Sequence, residues 1–205
     1  LSGPLGPGTD TLASAGPGGI ESEEKAPLAP LSLPRYSLRW RLGFGCARDQ
    51  GDVDEYDVGR LCAGWYHDWG MLKNPPRPGG MEFIQTVRVG PDRFNLSVPQ
   101  AYDWSGLDNK ILKNLGSVWV IGNEPDGRAP GACDKRTPTE YAQVYWWFHK
   151  RITDVDPTAK ISNGPIIQGT PLRIKYLNMV WDGYRRLYGK NWPVDVWNMH
   201  NQMVK

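Results

Sequence analysis

The chain has 205 residues and a formal charge of +2, from 24 basic and 22 acidic side chains. So close a balance gives no reason to expect a nucleic-acid groove or an anionic membrane as partner, and no run approaches the ~18 apolar residues of a membrane helix. Ten Trp, 9 Tyr and 4 Phe can bury a real core, which excludes disorder of the whole chain, and three Cys exclude a disulfide framework.

Residues 1–35 read as a linker or tail. The first 34 hold 12 Gly or Pro, no aromatic residue, and the acidic positions Glu21, Glu23 and Glu24. Such a stretch buries too little apolar area to offset its ordering entropy. No basic region followed by an apolar run marks a secretion signal. The first residue is Leu1 rather than Met, so the sequence is expected to be a piece of a longer chain.

From Tyr36 the pattern changes to short β-rich runs: 41–47, 61–66, 82–87, 118–121, 160–167 and 194–200. Three helices lie between the later runs. Leu107, Ile111, Leu112 and Leu115, closed by Gly116, form the stripe of the first. Thr137-Pro-Thr-Glu140 is a capping box with Pro at the first helical position. Behind it Tyr141, Val144, Tyr145, Phe148, Ile152 and Val155 recur at the helical period, up to Asp156-Pro157. Thr170-Pro171 opens the third, with Ile174, Leu177, Trp181, Tyr184 and Tyr188 as its stripe and Gly189 as its C-terminal cap.

Strand–helix alternation implies a parallel sheet, and nearly continuous apolar strands imply one covered on both faces. A doubly wound sheet and an eight-stranded (β/α) barrel both fit. No glycine-rich nucleotide-binding motif supports the first. Polar and aromatic residues gather just after each strand, where barrels place their chemistry. Residues 36–205 are therefore expected to form a partial (β/α)8 TIM-type barrel with about six of its eight strands.

Outside the tail the chain has only Glu55, Glu82, Glu124 and Glu140. Glu140 belongs to the capping box, Glu82 opens a strand at the end away from the expected site, and Glu55 lies in an acidic loop over 52–57. Glu124 directly follows the apolar run 118–121, after Gly122 and before Pro125. A carboxylate there is partly withdrawn from water, the setting that general-acid work near neutral pH requires. Asn123, in the same turn, could donate to a substrate hydroxyl.

Trp119-Val-Ile-Gly-Asn-Glu-Pro-Asp126 resembles the end of the fourth barrel strand in glycoside hydrolase clan A. Gly64-Trp-Tyr-His-Asp-Trp-Gly70 resembles the second strand of the "glycosyl hydrolase catalytic core" group, which includes the family 128 β-1,3-glucanases. Asn163-Gly-Pro and Trp197-Asn-Met-His-Asn201 fall where the fifth and sixth strands should end. The likeness covers roughly residues 40–204. It implies a retaining hydrolase of a β-glucan-type polysaccharide, with Glu124 as acid/base catalyst and Asn123 as holder of the neighbouring sugar hydroxyl. It also implies a nucleophile at the end of a seventh strand, which lies beyond Lys205. Asp68 and Asp126 receive no such role from it. No cofactor is expected, the partner is a polysaccharide or oligosaccharide, the complete protein is expected to be a monomer, and the location to be extracellular or cell-envelope.

The remaining candidates are read beside plain structural roles. Trp65, Tyr66, Trp69 and Trp197 could stack on sugar rings or fill the core. His67 and His200 could bind sugar hydroxyls, orient a carboxylate, or be structural. Trp146, Trp147 and His149 read as helix packing. Cys62, His67 and Cys133 lack the spacing of zinc ligands, and Cys46 and Cys62, at opposite strand ends, are poorly placed to bridge. Asn95-Leu-Ser97 is a glycosylation sequon. The loop from Gly127 to Arg136 could border the cleft or be a plain connector. The competing function is a non-catalytic carbohydrate-binding barrel, and the third reading is an unrelated α/β domain.

Overall fold

The computed structural model describes residues 38–47, 49 and 51–201. The expected linker over 1–35 lies outside the described residues. The strands are β1 (Gly43–Gly45), β2 (Trp65–His67), β3 (Glu82–Phe83), β4 (Gln85–Val87), β5 (Val118–Ile121) and β6 (Lys160–Asn163). The helices are α1 (Trp104–Lys113), α2 (Pro138–Val155) and α3 (Pro171–Tyr188).

Every strand pairing is parallel and follows chain order: β1–β2–β3 in one sheet and β4–β5–β6 in the other. The segment 82–87 belongs to both. Its first half pairs with β2, placing Glu82 opposite Trp65. Its second half pairs with β5, placing Gln85 opposite Trp119. A parallel bridge from Ser162 to Val196 and another from Ile166 to Met199 add the segment after α3 beside β6.

β5 explains the two-sided burial. All four of its residues are buried, but alternation sends them to different places. Trp119 and Ile121 enter the main core against α1, α2 and α3, with Tyr141, Tyr145, Phe148, Ile152 and Tyr184. Val118 and Val120 pack on the opposite face with Ile84, against Trp65. Tyr66, Phe83, Met81, Val53 and Val58 form a separate cluster beside β1–β3.

Helix boundaries follow the sequence chemistry. Thr137 accepts from the Glu140 N–H while Glu140 accepts from the Thr137 N–H, a complete capping box. Gly189 closes α3 at φ +66°. The first helix is shorter than its apolar stripe suggests. It ends at Lys113, Leu112 and Leu115 are 57% and 63% exposed, and Gly116 forms a left-handed turn beyond it. Of the four stripe residues only Leu107 and Ile111 are buried in the core, with Trp104 packed beside them against Phe94 and Phe148.

The first two strands are also shorter than expected. Residues 38–41 and 58–61 are 3-10 turns, and Cys62 is an exposed left-handed residue in the connection. The run 194–200 forms only isolated bridges. Cys46, Cys62 and Cys133 are all free thiols. Asn95 is exposed, with its side-chain oxygen accepting from the Ser97 N–H. No described helix is long and apolar enough to cross a membrane.

Candidate active site

The turn after β5 is built from backbone strain and backbone hydrogen bonds. Gly122 takes φ +96° and Glu124 takes φ +46°, the left-handed region that costs a non-glycine residue about 1–2 kcal/mol. Three contacts hold it. The Glu124 N–H donates to Pro165 O (2.9 Å), Gly127 N–H donates to Glu124 O (2.9 Å), and Gly122 N–H donates to Val87 O (2.8 Å). Tyr141, wholly buried on α2, joins the neighbouring strand ends: its hydroxyl donates to Ile121 O (2.6 Å) and accepts from Gly164 N–H (2.7 Å). Gly164 must be glycine, since a Cβ there would lie 2.7 Å from Ile121 O.

Asp134 folds the following loop back onto this turn. Its carboxylate is buried. Oδ2 accepts from the backbone N–H groups of Asn123 (2.7 Å) and Val89 (3.0 Å), and Oδ1 accepts from Arg88 Nε (2.8 Å). Its own N–H donates to Asn123 O (2.9 Å). The loop from Gly127 to Arg136 is thus fastened to the site rather than merely beside it.

The Glu124 side chain is 12% exposed. Its Oε1 lies 2.8 Å from His200 Nδ1, and its Oε2 accepts from the Cys133 thiol at 2.9 Å. His200 comes from the segment after α3 and is carried there by Asn163 at the end of β6. Asn163 Oδ1 accepts from Asn198 N–H (2.8 Å), its Nδ2 donates to Asn198 O (2.8 Å), and His200 N–H donates to Ile166 O (2.9 Å). Burial, and secondly the bond to Glu124, push the Cys133 thiol up to about 11, so it stays protonated and donates.

A cavity of about 550 Å³ opens beside this turn, within the range of small-ligand sites. Trp40, Trp65, Trp69 and Trp197 wall it, with His67, Asn123, Asn198 and His200 as polar groups. Glu124 borders it through Asn123 and His200. Burial holds His67 below the ordinary imidazole value, with Asp68 opposing that shift and His200 adding to it.

The structure gathers Asn123, Trp65, Trp69, Trp197 and His200 at one cavity, sets Glu124 behind its wall against His200, and leaves Tyr66 out. Period-two alternation turns Trp65 and His67 to the cavity and Tyr66 to the opposite core. There Tyr66 is buried against Phe83, with its hydroxyl donating to Pro76 O (2.6 Å). Trp65 lies over Gly43 and donates to Trp40 O (3.1 Å), and Trp69, at φ +59°, lies over Gly45 and packs on His67. Trp197 is 52% exposed and stacks on Trp181. Asn123 differs from the expected donor. Its Nδ2 donates to Ala132 O (2.8 Å), while Oδ1 is buried with no hydrogen-bond partner among the described residues.

Asp126 is not part of the cavity wall; it faces α3, accepting from Ile167 N–H with Arg173 3.1 Å away. Cys133, Asp134 and Tyr141 carry the site's support and were not singled out for it by the sequence. No spacing rule links Cys133 to Glu124. Gly127 is the one trace, because a Cβ at that position would overlap Cys133.

No protein-family model matches the sequence, and no curated protein matches it. Two solved structures share its fold. One is a curdlan-specific exo-β-1,3-glucanase of glycoside hydrolase family 128, subgroup III, from Blastomyces gilchristii, in complex with glucose. It is 16% identical, with a TM-score of 0.52 over 77% of this chain and 60% of that one. The other is a family 128, subgroup II, endo-β-1,3-glucanase from Sorangium cellulosum, 15% identical, with a TM-score of 0.52 over 77% of this chain and 59% of that one. The chain therefore has a parallel α/β fold like that of family 128 glycoside hydrolases and spans about three fifths of the length of each.

Proposed function

We propose that this chain is the acid/base-bearing part of a retaining β-glucan hydrolase built on a (β/α)8 barrel. The observation that carries the reading is Glu124. It stands on a strained turn at the end of β5, held through both carboxylate oxygens beside a tryptophan-walled cavity. Strands that follow one another in chain order support the barrel, and the fold shared with two β-1,3-glucanases supports the substrate class.

In this reading Glu124 delivers its proton to the leaving glycosidic oxygen and then takes one from the attacking water. His200 and Cys133 hold the carboxyl group. Asn123 Oδ1, the acceptor without a partner among the described residues, accepts a hydrogen bond from the hydroxyl of the sugar next to the scissile bond. Trp69 and Trp197 offer flat faces to the C–H side of a pyranose. The reading also requires a second carboxylate ~5–5.5 Å from the first, and no Asp or Glu lines the described cavity wall. A polysaccharide substrate fits an extracellular or cell-envelope location for the protein.

Glu124→Gln in the natural protein carrying this chain tests the reading. Hydrolysis of a β-1,3-glucan should drop by orders of magnitude while sugar binding persists. Residues 1–205 alone should not turn over. A specific observation favours the rival carbohydrate-binding barrel: the described cavity wall holds four Trp and no Asp or Glu. A binding module would hold sugar equally well with Gln at position 124 and would show no hydrolysis in the wild type.

A further inference from the structure

We infer that Cys133 is a positioning residue for Glu124, its thiol fixing the rotamer in which the carboxyl group meets His200. The inference rests on the acid/base reading for its purpose, but the contact itself is independent of it. His200 and Cys133 approach Glu124 from different directions. His200 reaches Oε1 from the segment after α3, and Cys133 reaches Oε2 from the loop after β5. A glutamate has three side-chain torsions, and their wells combine into several rotamers. A bond at Oε1 by itself lets a carboxyl group pivot about that oxygen. A second bond at Oε2 removes that pivot, as a precise proton donor requires.

Three features show that the thiol is built into this place. Asp134, the next residue, is tied to Asn123 through two hydrogen bonds, so Cys133 is carried back along the Glu124 turn. The Cys133 N–H donates to Ala129 O (3.1 Å). Gly127 leaves the volume the side chain occupies: a Cβ there would lie 2.7 Å from the Cys133 Cβ and nearer still to Sγ. The other charged groups around the contact are engaged elsewhere, Asp126 with Arg173 and Asp134 with Arg88.

The S–H stretch of a cysteine falls in an empty part of the infrared spectrum and moves to lower frequency when the thiol donates to a carboxylate. The difference spectrum between the natural protein and its Cys133→Ala variant isolates the band of this one thiol. We expect a low-frequency band that shifts upward in Glu124→Gln. In hydrolysis assays Cys133→Ala should lower kcat by about tenfold or more with KM changed far less. Cys133→Ser, which keeps a donor, should restore most of that loss. Gly127→Ala, whose Cβ would overlap the Cys133 side chain and lie 3.0 Å from Glu124 O, should lower kcat at least as far as Cys133→Ala. A band at the frequency of a free thiol, or one indifferent to Glu124→Gln, would overturn the inference, as would equal kcat in the Ala and Ser variants. If the band behaves as expected but Glu124→Gln hydrolyses normally, the acid/base reading has failed and the contact stands.

Discussion

Asp134→Asn is the substitution whose cost the structure defines best. The carboxylate is 1% exposed and accepts three hydrogen bonds, one at Oδ1 and two at Oδ2. An asparagine has the same shape but one acceptor oxygen. If that oxygen replaces Oδ1, the N–H groups of Asn123 and Val89 both face an NH2 group. If it replaces Oδ2, the NH2 faces Arg88, whose side chain is 25% exposed and can turn to water. The second arrangement costs less. It forfeits a half-screened ion pair, about 1 kcal/mol or less, and weakens two bonds from charge-assisted to neutral, about 1 kcal/mol each. The total is about 3 kcal/mol, roughly a hundredfold in the folding equilibrium. Urea unfolding followed by Trp fluorescence should show a lower midpoint at unchanged slope. Asp154→Asn is the control. It removes an exposed i,i+4 partner of Lys150 and should cost about 0.5 kcal/mol or less. Equal midpoints for the two variants would refute the account of Asp134 as the clasp of the site loop.

Tyr141→Phe leaves Ile121 O and Gly164 N–H without their shared partner and should cost about 2–4 kcal/mol in the same unfolding assay; a loss below about 0.5 kcal/mol would show that the hydroxyl does not join the strand ends. His67 and His149 are both held below the ordinary imidazole value of 6.5, by burial in each case. The unfolded chain therefore binds more protons between that value and the lower folded ones, and stability rises with pH through this window. The urea midpoint should be higher at pH 7.5 than at pH 5.5, with a smaller difference in His149→Gln; the opposite order would contradict the assignment. Iodoacetamide at pH 7.5 should label exposed Cys62 first and Cys133 last, since burial and the bond to Glu124 keep the latter as a thiol. Peptide mass spectrometry over time gives the order, and early labelling of Cys133 would contradict its placement.

The sequence by itself determined the parts whose physics is local. The capping box at Thr137, the Pro at position 138 and the left-handed Gly189 fix α2 and α3 to the residue, because caps and turns answer to neighbours three or four positions away. The order of the strands, and Glu124 on the turn after β5, were legible for the same reason: an apolar run followed by Gly-Asn-Glu-Pro states where a strand stops. What lies around Glu124 was decided only by tertiary structure. Whether Tyr66 or Trp65 faces the cavity is a matter of which side of β2 Val53, Val58 and Met81 cover, and each side has apolar residues in the sequence. The exposure of Leu112 and Leu115 reflects how far α2 reaches across α1, which no periodicity contains. His200 and Cys133 are 76 and nine residues from Glu124. They meet at one carboxylate because β6 and a loop clasped by Asp134 bring them there, and such meetings are set by packing rather than by spacing.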